Sequence, residues 1–164
     1  MGERVIIALD FGYPKNEDAL SSIDDIALVT LEVARHYKDC VVLAQENVYR
    51  RLEPFKEFPL FEIKSGQSQL TGKTGGTWDA LYEAKKIMQD NNLGDIATII
   101  THYLHVYRAR LQAEKNGIIT FGIHITPLPH RLYKNAAQWW CRNRFLWKLR
   151  EFFGYIPLKL RGQL

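Results

Sequence analysis

The sequence contains little cysteine and no long apolar segment. Cys40 and Cys141 are the only cysteines among 164 residues and form no C-x-x-C pair, which argues against a disulfide framework and a thiolate zinc site. No apolar run approaches the roughly 20 residues that span a bilayer. The first apolar segment, VIIALDFG, is too short and too soon acidic for the core of a signal peptide. We therefore expect a cytoplasmic protein, with association at a membrane surface left open.

Loops that mark several common enzyme classes are also missing. LDFGYPKNED stands where a dinucleotide-binding Rossmann fold carries G-x-G-x-x-G, and no G-x-S-x-G turn of a serine hydrolase occurs. GQSQLTGKT is similar to a phosphate-binding P-loop, but five residues rather than four separate Gly66 from Gly72. ATP hydrolysis is therefore not expected. The glycine-rich stretch 72–77 predicts either a loop whose N–H groups wrap a phosphate or carboxylate, or an ordinary surface loop.

The chain does contain a regular alternation of apolar and amphipathic segments. With 46% hydrophobic and 24% charged residues, it has the composition of a globular domain, and we expect one domain at 1–164. The β-branched runs predict strands at 4–10, 39–45, 58–64, 96–101 and 118–126. Helical spacing predicts helices at 16–37, from 46 to just before Pro54, and at 78–92, 102–116 and about 135–153. This order predicts an α/β fold, a three-layer Rossmann-like domain with a mostly parallel sheet of about five strands and helices on both faces.

Ligands of such sheets bind beyond the carboxyl ends of the strands, in the loops that lead to the helices. The loops that meet this condition are 10–14, 44–47, 71–77 and 101–108. Their candidate ligand-binding residues are Asp10, Gln45, Glu46, Thr74, Gly75, Gly76, Thr77, Thr101, His102 and Arg108. His105 is the candidate catalytic acid or base, because its charge changes near neutral pH.

The stretch IITHYLHVYRARLQAEKNG, at 99–117, is the densest of these segments in titratable side chains. On a helix at 102–116, with Thr101 as its cap, one polar stripe is expected to contain Thr101, His105, Arg108 and Gln112. Free N–H groups at the helix start favour an anion, and a guanidinium binds carboxylate or phosphate through paired hydrogen bonds. The alternative is a capped helix whose polar side faces water. No metal site is expected, because no acid joins the histidines in an H-E-x-x-H pattern, although convergence of His102, His105 and His124 is left open.

The C-terminal segment is basic and aromatic. Residues 130–164 contain eight Lys or Arg residues and one acid, Glu151, so they carry +7 of charge and leave −3 for residues 1–129. The predicted helix has an apolar arc made of Cys141, Phe145, Leu146, Leu149, Phe152 and Phe153. We expect this arc to pack on the sheet, which needs a last helix to cover it. The alternatives are an anionic membrane surface contacted through 139–161 and, less favoured, stacking on RNA.

The stretch 99–117 resembles the pattern V-T-S-x-x-H-x-x-R-A of the YdcF/SanA/ElyC-like family. The residues that match this pattern are Thr101, His105, Arg108 and Ala109. Upstream, GGTWDALYEAKKIM is similar to the family's S-x-N-T-x-E-N-A segment, with Thr77 and Asp79 aligned to its Thr and Glu and Ala80 in place of its Asn. The resemblance covers about 39–117.

Two other family motifs are altered. The glycine-rich turn after the first strand is replaced by Asp10 to Tyr13, and the motifs after the second strand become AQENVYRR, with Gln45 and Glu46 as substitutes. The resemblance implies a divergent relative with a Rossmann-like domain. One type of member binds S-adenosylmethionine, which makes this molecule a candidate cofactor, and other members are membrane-anchored factors of cell-envelope polysaccharide maintenance.

The expected function is binding of an anionic small molecule at the carboxyl edge of the sheet. The ligand would be nucleotide-like, S-adenosylmethionine-like or phosphorylated. Arg108 and the 72–77 loop are expected to bind its anionic group. The alternative is a non-catalytic interaction protein of the cell envelope or membrane surface that uses its basic aromatic segment. The residues do not decide whether the protein is an enzyme.

Overall fold

The computed structural model of the protein describes residues 4–11, 22–37, 39–55, 57–64, 76–126 and 143–163. The strands are β1 (Arg4–Ala8), β2 (Cys40–Gln45), β3 (Leu60–Ile63), β4 (Ile96–His102) and β5 (Ile119–Thr126). The helices are α1 (Ser22–His36), α2 (Glu46–Leu52), α3 (Thr77–Asp90), α4 (Val106–Lys115) and α5 (Arg144–Leu160). A 3-10 turn, Glu53–Phe55, follows α2 and contains Pro54.

The five strands form one parallel sheet in the order β3-β2-β1-β4-β5. The predicted α/β fold with its mostly parallel sheet is therefore confirmed. The central strands are continuous apolar runs because helices cover both of their faces. In β1 the side chains of Val5 and Ile7 enter one core cluster, and those of Ile6 and Ala8 enter the other.

Each core cluster joins one face of the sheet to its own pair of helices. On one face, residues of α1 and α2 such as Ile26 and Val48 pack against Ile6. On the other face, residues of α3 and α4 such as Leu81 and Ala109 pack with Val5 and Ile7. These helices and the sheet form the three layers expected of a Rossmann-like fold.

The order of the strands reverses between β1 and β4, which are hydrogen-bonded neighbours at the centre of the sheet. The chain leaves β1 toward β2 on one side and leaves β4 toward β5 on the other. In open α/β sheets such a switch point creates a crevice beyond the carboxyl ends of the two strands, where ligands bind. Here those ends lead to Asp10 and Phe11 after β1 and to 103–105 after β4.

The boundary between β4 and α4 differs from the prediction. β4 continues through His102 because Thr101 and His102 pair with β5, and the helix begins only at Val106. His105 is the residue that precedes the helix, so the prediction that Thr101 caps it is wrong. The strand pairing that causes this shift joins residues far apart in the sequence, and helical spacing alone does not reveal it.

Helix α5 ends at Leu160, seven residues beyond the predicted end, and continues through Pro157. Its packing also differs from the prediction. Four side chains of the predicted arc are exposed: Phe145, Leu149, Phe152 and Phe153. Among the residues of α5 whose burial the structure describes, Trp147 is the one apolar residue that is buried. The expected burial of the apolar arc is therefore wrong for these side chains. Cys141 of that arc and residues 135–142 lie outside the described residues.

Among the described residues, no helix combines the length and the apolar character that crossing a membrane requires.

The central position of β1 makes its side chains sensitive to truncation. Ile7→Ala removes a fully buried side chain, and we expect it to lower the free energy of unfolding by about 2–5 kcal/mol. The matched control is Ile119→Ala on the edge strand β5, where the side chain is 61% exposed and the expected loss is below about 1 kcal/mol. Urea unfolding of both variants measures the difference, and equal losses would contradict the assignment of β1 to the core.

Candidate functional site

A chain of polar contacts joins three helices above the carboxyl edge of the sheet. The hydroxyl of Thr77, the first residue of α3, lies 2.8 Å from Nε2 of His105. Nδ1 of His105 lies 3.1 Å from a guanidinium nitrogen of Arg108, in the first turn of α4. Another guanidinium nitrogen of Arg108 lies 2.9 Å from the carboxylate of Glu151 in α5. The predicted candidates Thr77, His105 and Arg108 are thus brought together.

The protonation of His105 follows from its neighbours. Burial lowers the pKa of its imidazole well below 6.5, and the charges of Arg108 and Arg150 lower it further, as does the charge that His102 gains when it is protonated at low pH. The ring is therefore neutral at pH 7. Because a guanidinium only donates hydrogen bonds, Nδ1 accepts from Arg108 and the ring proton is on Nε2. Nε2–H then donates to the oxygen of Thr77, which leaves the hydroxyl proton of Thr77 to donate to another acceptor.

Aromatic rings lie together at the crevice between the ends of β1 and β4. Phe11 stacks on His102 with the ring centroids 4.0 Å apart, and Trp147 contacts Phe11 edge to face at 4.6 Å. The indole N–H of Trp147 donates to the carbonyl of Leu104 at 3.0 Å. Burial lowers the pKa of His102 to about 3, so this ring is neutral and behaves as part of the aromatic cluster.

The ion pair between Arg108 and Glu151 is largely shielded from solvent. Their side chains are only 12% and 15% exposed. Burial raises the pKa of Glu151 and outweighs the opposite effect of Arg108 and Arg150. The guanidinium of Arg108 also lies over the ring of Trp147, 5.7 Å from its centroid. The carboxylate of Glu151 therefore binds the guanidinium of Arg108 in the way that the carboxylate of a ligand would.

A second polar group lies where β1 and β2 end. The carboxylate of Asp10 accepts hydrogen bonds from the side-chain amide of Asn47 at 2.7 Å and from the backbone N–H of Val48 at 3.3 Å. The backbone N–H of Asp10 donates to the buried side chain of Gln45 at 2.8 Å. Burial raises the pKa of Asp10 to about 6, although the hydrogen bonds that its carboxylate accepts from Asn47 and Val48 oppose the shift, and the charge of Glu46 adds to it. Asp10 thus satisfies a free N–H group of α2 and also carries a carboxyl group that titrates near neutral pH.

The other predicted site residues have different surroundings. Thr101 is fully buried, and its hydroxyl donates to the carbonyl of Leu9 at 3.4 Å, so it links the ends of β4 and β1. Glu46 pairs with Arg50 on the outer side of α2 and is not part of the contact chain from Thr77 to Glu151. Gly76 is exposed before α3, where its N–H donates to the carboxylate of Asp79 at 3.1 Å. Thr74 and Gly75 lie outside the described residues.

Four residues of the polar contact chain, the aromatic group and the group around Asp10 were not predicted from the sequence: Phe11, Asn47, Trp147 and Glu151. Phe11 and Asn47 lie within the loops 10–14 and 44–47, so a wider choice of residues in those loops would have included them. Trp147 and Glu151 come from a distant helix that the prediction assigned to the core. The expected polar stripe also included Gln112, which is 2% exposed and whose side-chain oxygen has no hydrogen-bond partner among the residues that the structure describes. Within the described ranges, no three His, Cys, Asp or Glu side chains are grouped closely enough to hold a metal ion.

The lowered pKa values of the two histidines have a measurable consequence. An unfolded chain binds protons at His102 and His105 near pH 6.5, whereas the folded chain binds them only at lower pH. Their ring C–H resonances are expected to stay constant between about pH 8 and about pH 5.5 in NMR spectra, with peaks assigned from His102→Asn and His105→Asn. The free energy of unfolding falls as the pH drops below about 6.5. A titration midpoint near 6.5 for either ring in the folded protein would contradict this arrangement.

The raised pKa of Asp10 has the opposite effect. Between about pH 4 and about pH 6 the unfolded chain loses a proton that the folded chain retains, so the stability falls as the pH rises. We expect the free energy of unfolding to fall by about 2 kcal/mol over this range relative to Asp10→Asn. Urea unfolding at several pH values measures it, with Asp90→Asn, exposed at the end of α3, as the control. Parallel pH profiles of the parent protein and Asp10→Asn would contradict the burial of this carboxyl group.

Comparisons of the chain with protein-family models, with curated proteins and with solved structures find no match.

Proposed function

We propose that the protein binds an anionic small molecule at the carboxyl edge of the sheet, between the ends of β1 and β4. The observation that carries this proposal is the chain of contacts from Thr77 through His105 to Arg108, which ends on an internal carboxylate. Its position at the switch point of a Rossmann-like sheet supports it, because ligands of such sheets bind there.

The start of α3 provides the first part of the proposed anion site. Its first backbone N–H groups have no partner within the helix and attract negative charge. The hydroxyl of Thr77 lies at this point, and the hydrogen bond from His105 orients it as a donor. His105 therefore acts as a positioning residue in this proposal, and an acid or base role for it stays a prediction.

Arg108 provides the second part. Its guanidinium already binds the carboxylate of Glu151 in a place shielded from water, where a charged hydrogen bond is stronger than in solvent. A ligand carboxylate or phosphate would replace Glu151 on this guanidinium.

The side chains of α5 that contact Phe11 and Arg108 also indicate what kind of ligand would fit there. Trp147 and Glu151 are one helical turn apart on α5, and together they present a flat ring to Phe11 and a carboxylate to Arg108. A ligand with a flat ring and an acidic group presents the same pair. We therefore propose a nucleotide-like or S-adenosylmethionine-like ligand ahead of a simple sugar phosphate.

The resemblance to the YdcF/SanA/ElyC-like family is part of this proposal. Three of the residues that carry it, Thr77, His105 and Arg108, belong to one contact chain, which supports a shared site. Thr101 has a structural hydrogen bond to β1 instead.

The test is thermal unfolding with inorganic phosphate, adenosine monophosphate, ATP and S-adenosylmethionine as probes. At a hundred times its dissociation constant, a ligand adds about 2.7 kcal/mol of stability, so we expect at least one probe to raise the Tm by about 5–10 °C. Glu151→Gln removes the competing charge and is expected to strengthen this binding. Arg108→Gln removes the cation and is expected to weaken it by roughly 10-fold to 100-fold.

Arg110→Gln on the same helix is the matched control, because Arg110 is exposed and pairs with Glu114. Each variant is compared with its own Tm in the absence of probe, which separates binding from any change in folding. The proposal fails if no probe shifts the Tm of either the parent protein or Glu151→Gln.

A further inference from the structure

Helix α5 presents a continuous apolar surface to solvent. The side chains that form this surface, the apolar face of α5, are Phe145, Leu149, Phe152, Phe153, Ile156 and Leu160. Their exposed fractions lie between 42% and 84%, whereas large apolar side chains in the sheet are mostly buried. At 3.6 residues per turn the six side chains fall within an arc of about 100°. A contiguous exposed surface of this kind marks an interaction site more often than scattered apolar residues do.

Cations line both borders of the apolar face. Lys148 and Lys159 follow one border, and Arg150 and Arg161 follow the other, at helical positions on either side of the arc. All four residues are exposed. The one acid of the helix, Glu151, lies away from the arc and pairs with Arg108 at 2.9 Å and with Arg150 at 3.5 Å. The borders of the face are therefore positively charged, mainly through Lys148, Lys159 and Arg161.

Contacts on the opposite side of α5 fix the direction of the apolar face. Trp147 is 3% exposed, contacts Phe11 and donates its indole N–H to the carbonyl of Leu104. Glu151 lies on the same side of the helix and pairs with Arg108. Because these contacts hold one side of α5 against the switch point, the apolar face points away from the sheet and from the other described helices.

We propose that the apolar face of α5 docks on an anionic lipid bilayer, with the helix lying in the plane of the surface. Amphipathic helices bind in this way when apolar and aromatic residues enter the boundary between head groups and acyl chains while Lys and Arg contact anionic head groups. The helix has 17 residues and is about 25 Å long. This proposal goes beyond the proposed ligand site and does not depend on it.

The composition of the surface favours lipid over two other occupants. A second copy of the chain would bring the cationic borders of two helices together with no acid between them, which opposes association. Single-stranded nucleic acid stacks on aromatic rings, but Leu149, Ile156 and Leu160 are aliphatic. Acyl chains accept aromatic and aliphatic side chains alike.

The test is co-sedimentation of the full chain with phosphatidylcholine vesicles, with and without phosphatidylglycerol, at low and high salt. We expect binding to the anionic vesicles that decreases as the salt concentration rises. The double variant Phe152→Ser/Phe153→Ser is expected to bind at least about tenfold more weakly. Lys148→Glu/Lys159→Glu is also expected to lose at least about tenfold, because each Lys near the surface contributes about fivefold to partitioning.

The control variants change the same residue types on other surfaces. Phe121→Ser removes a ring that is 73% exposed on β5, and Lys86→Glu reverses an exposed charge on α3. Both are expected to bind vesicles as the parent protein does. All of the altered side chains are exposed, so circular dichroism and the Tm are expected to be unchanged.

Three results would overturn the proposal. The first is a parent protein that does not bind anionic vesicles at low salt. The second is binding that the Phe152→Ser/Phe153→Ser variant retains in full, which would make it a nonspecific charge effect. The third is a dimer, detected by light scattering, that this variant converts to a monomer while the parent does not bind vesicles, which would assign the apolar face of α5 to a second copy of the chain.

Discussion

The ion pair between Arg108 and Glu151 connects the core of this protein with its last helix. Both side chains are mostly withdrawn from water, and burial raises the pKa of Glu151 even beside two arginines. Removing charges from water is costly, and a pair in this setting persists when other contacts also hold its members. Here Arg108 contacts His105 and Trp147 as well. The pair therefore links His105 to α5, and together with the contacts of Trp147 it fixes the rotation of α5 about its own axis.

The layout of the fold follows from short-range patterns. Buried parallel strands require continuous apolar runs, and the segments at β1, β2 and β4 have them, so the sheet and the loops at its carboxyl edge were predictable. The transition from β4 to α4 was not. Thr101 and His102 continue the strand because β5 offers them backbone partners, and such long-range pairing overrides the helical spacing of the same residues. The stripe expected on one helix is consequently divided between a strand, a turn and a helix.

The buried side of α5 could not be predicted from helical periodicity alone. Helical spacing placed Phe145, Leu149, Phe152 and Phe153 together on one side of the helix, but spacing does not reveal which side of a helix is covered. That choice depends on whether a side chain fits a cavity elsewhere in the fold. The indole of Trp147 contacts Phe11 and donates to the carbonyl of Leu104, whereas the aromatic arc has no such partner in the described part of the chain. Glu151 stands out in the sequence as the only acid beside eight cations in residues 130–164, but this pattern does not identify Arg108 as its partner.

The ligand proposed for Arg108 and the bilayer proposed for the apolar face would act on opposite sides of α5. An anion on Arg108 would replace Glu151 and remove one of the contacts that hold the inner side of α5, while a bilayer would bind its outer side. Two ligands that act on the same element are coupled, and the coupling free energy is the same whichever binds first. Its sign depends on whether lipid prefers α5 held by Glu151 or released from it. An anion that replaces only Glu151 leaves the hydrogen bond from Trp147 to Leu104 as an anchor of α5, so a small rotation of the helix is expected. A ligand that also presents a ring to Phe11 takes the place of Trp147 as well, and it would release the inner side of α5.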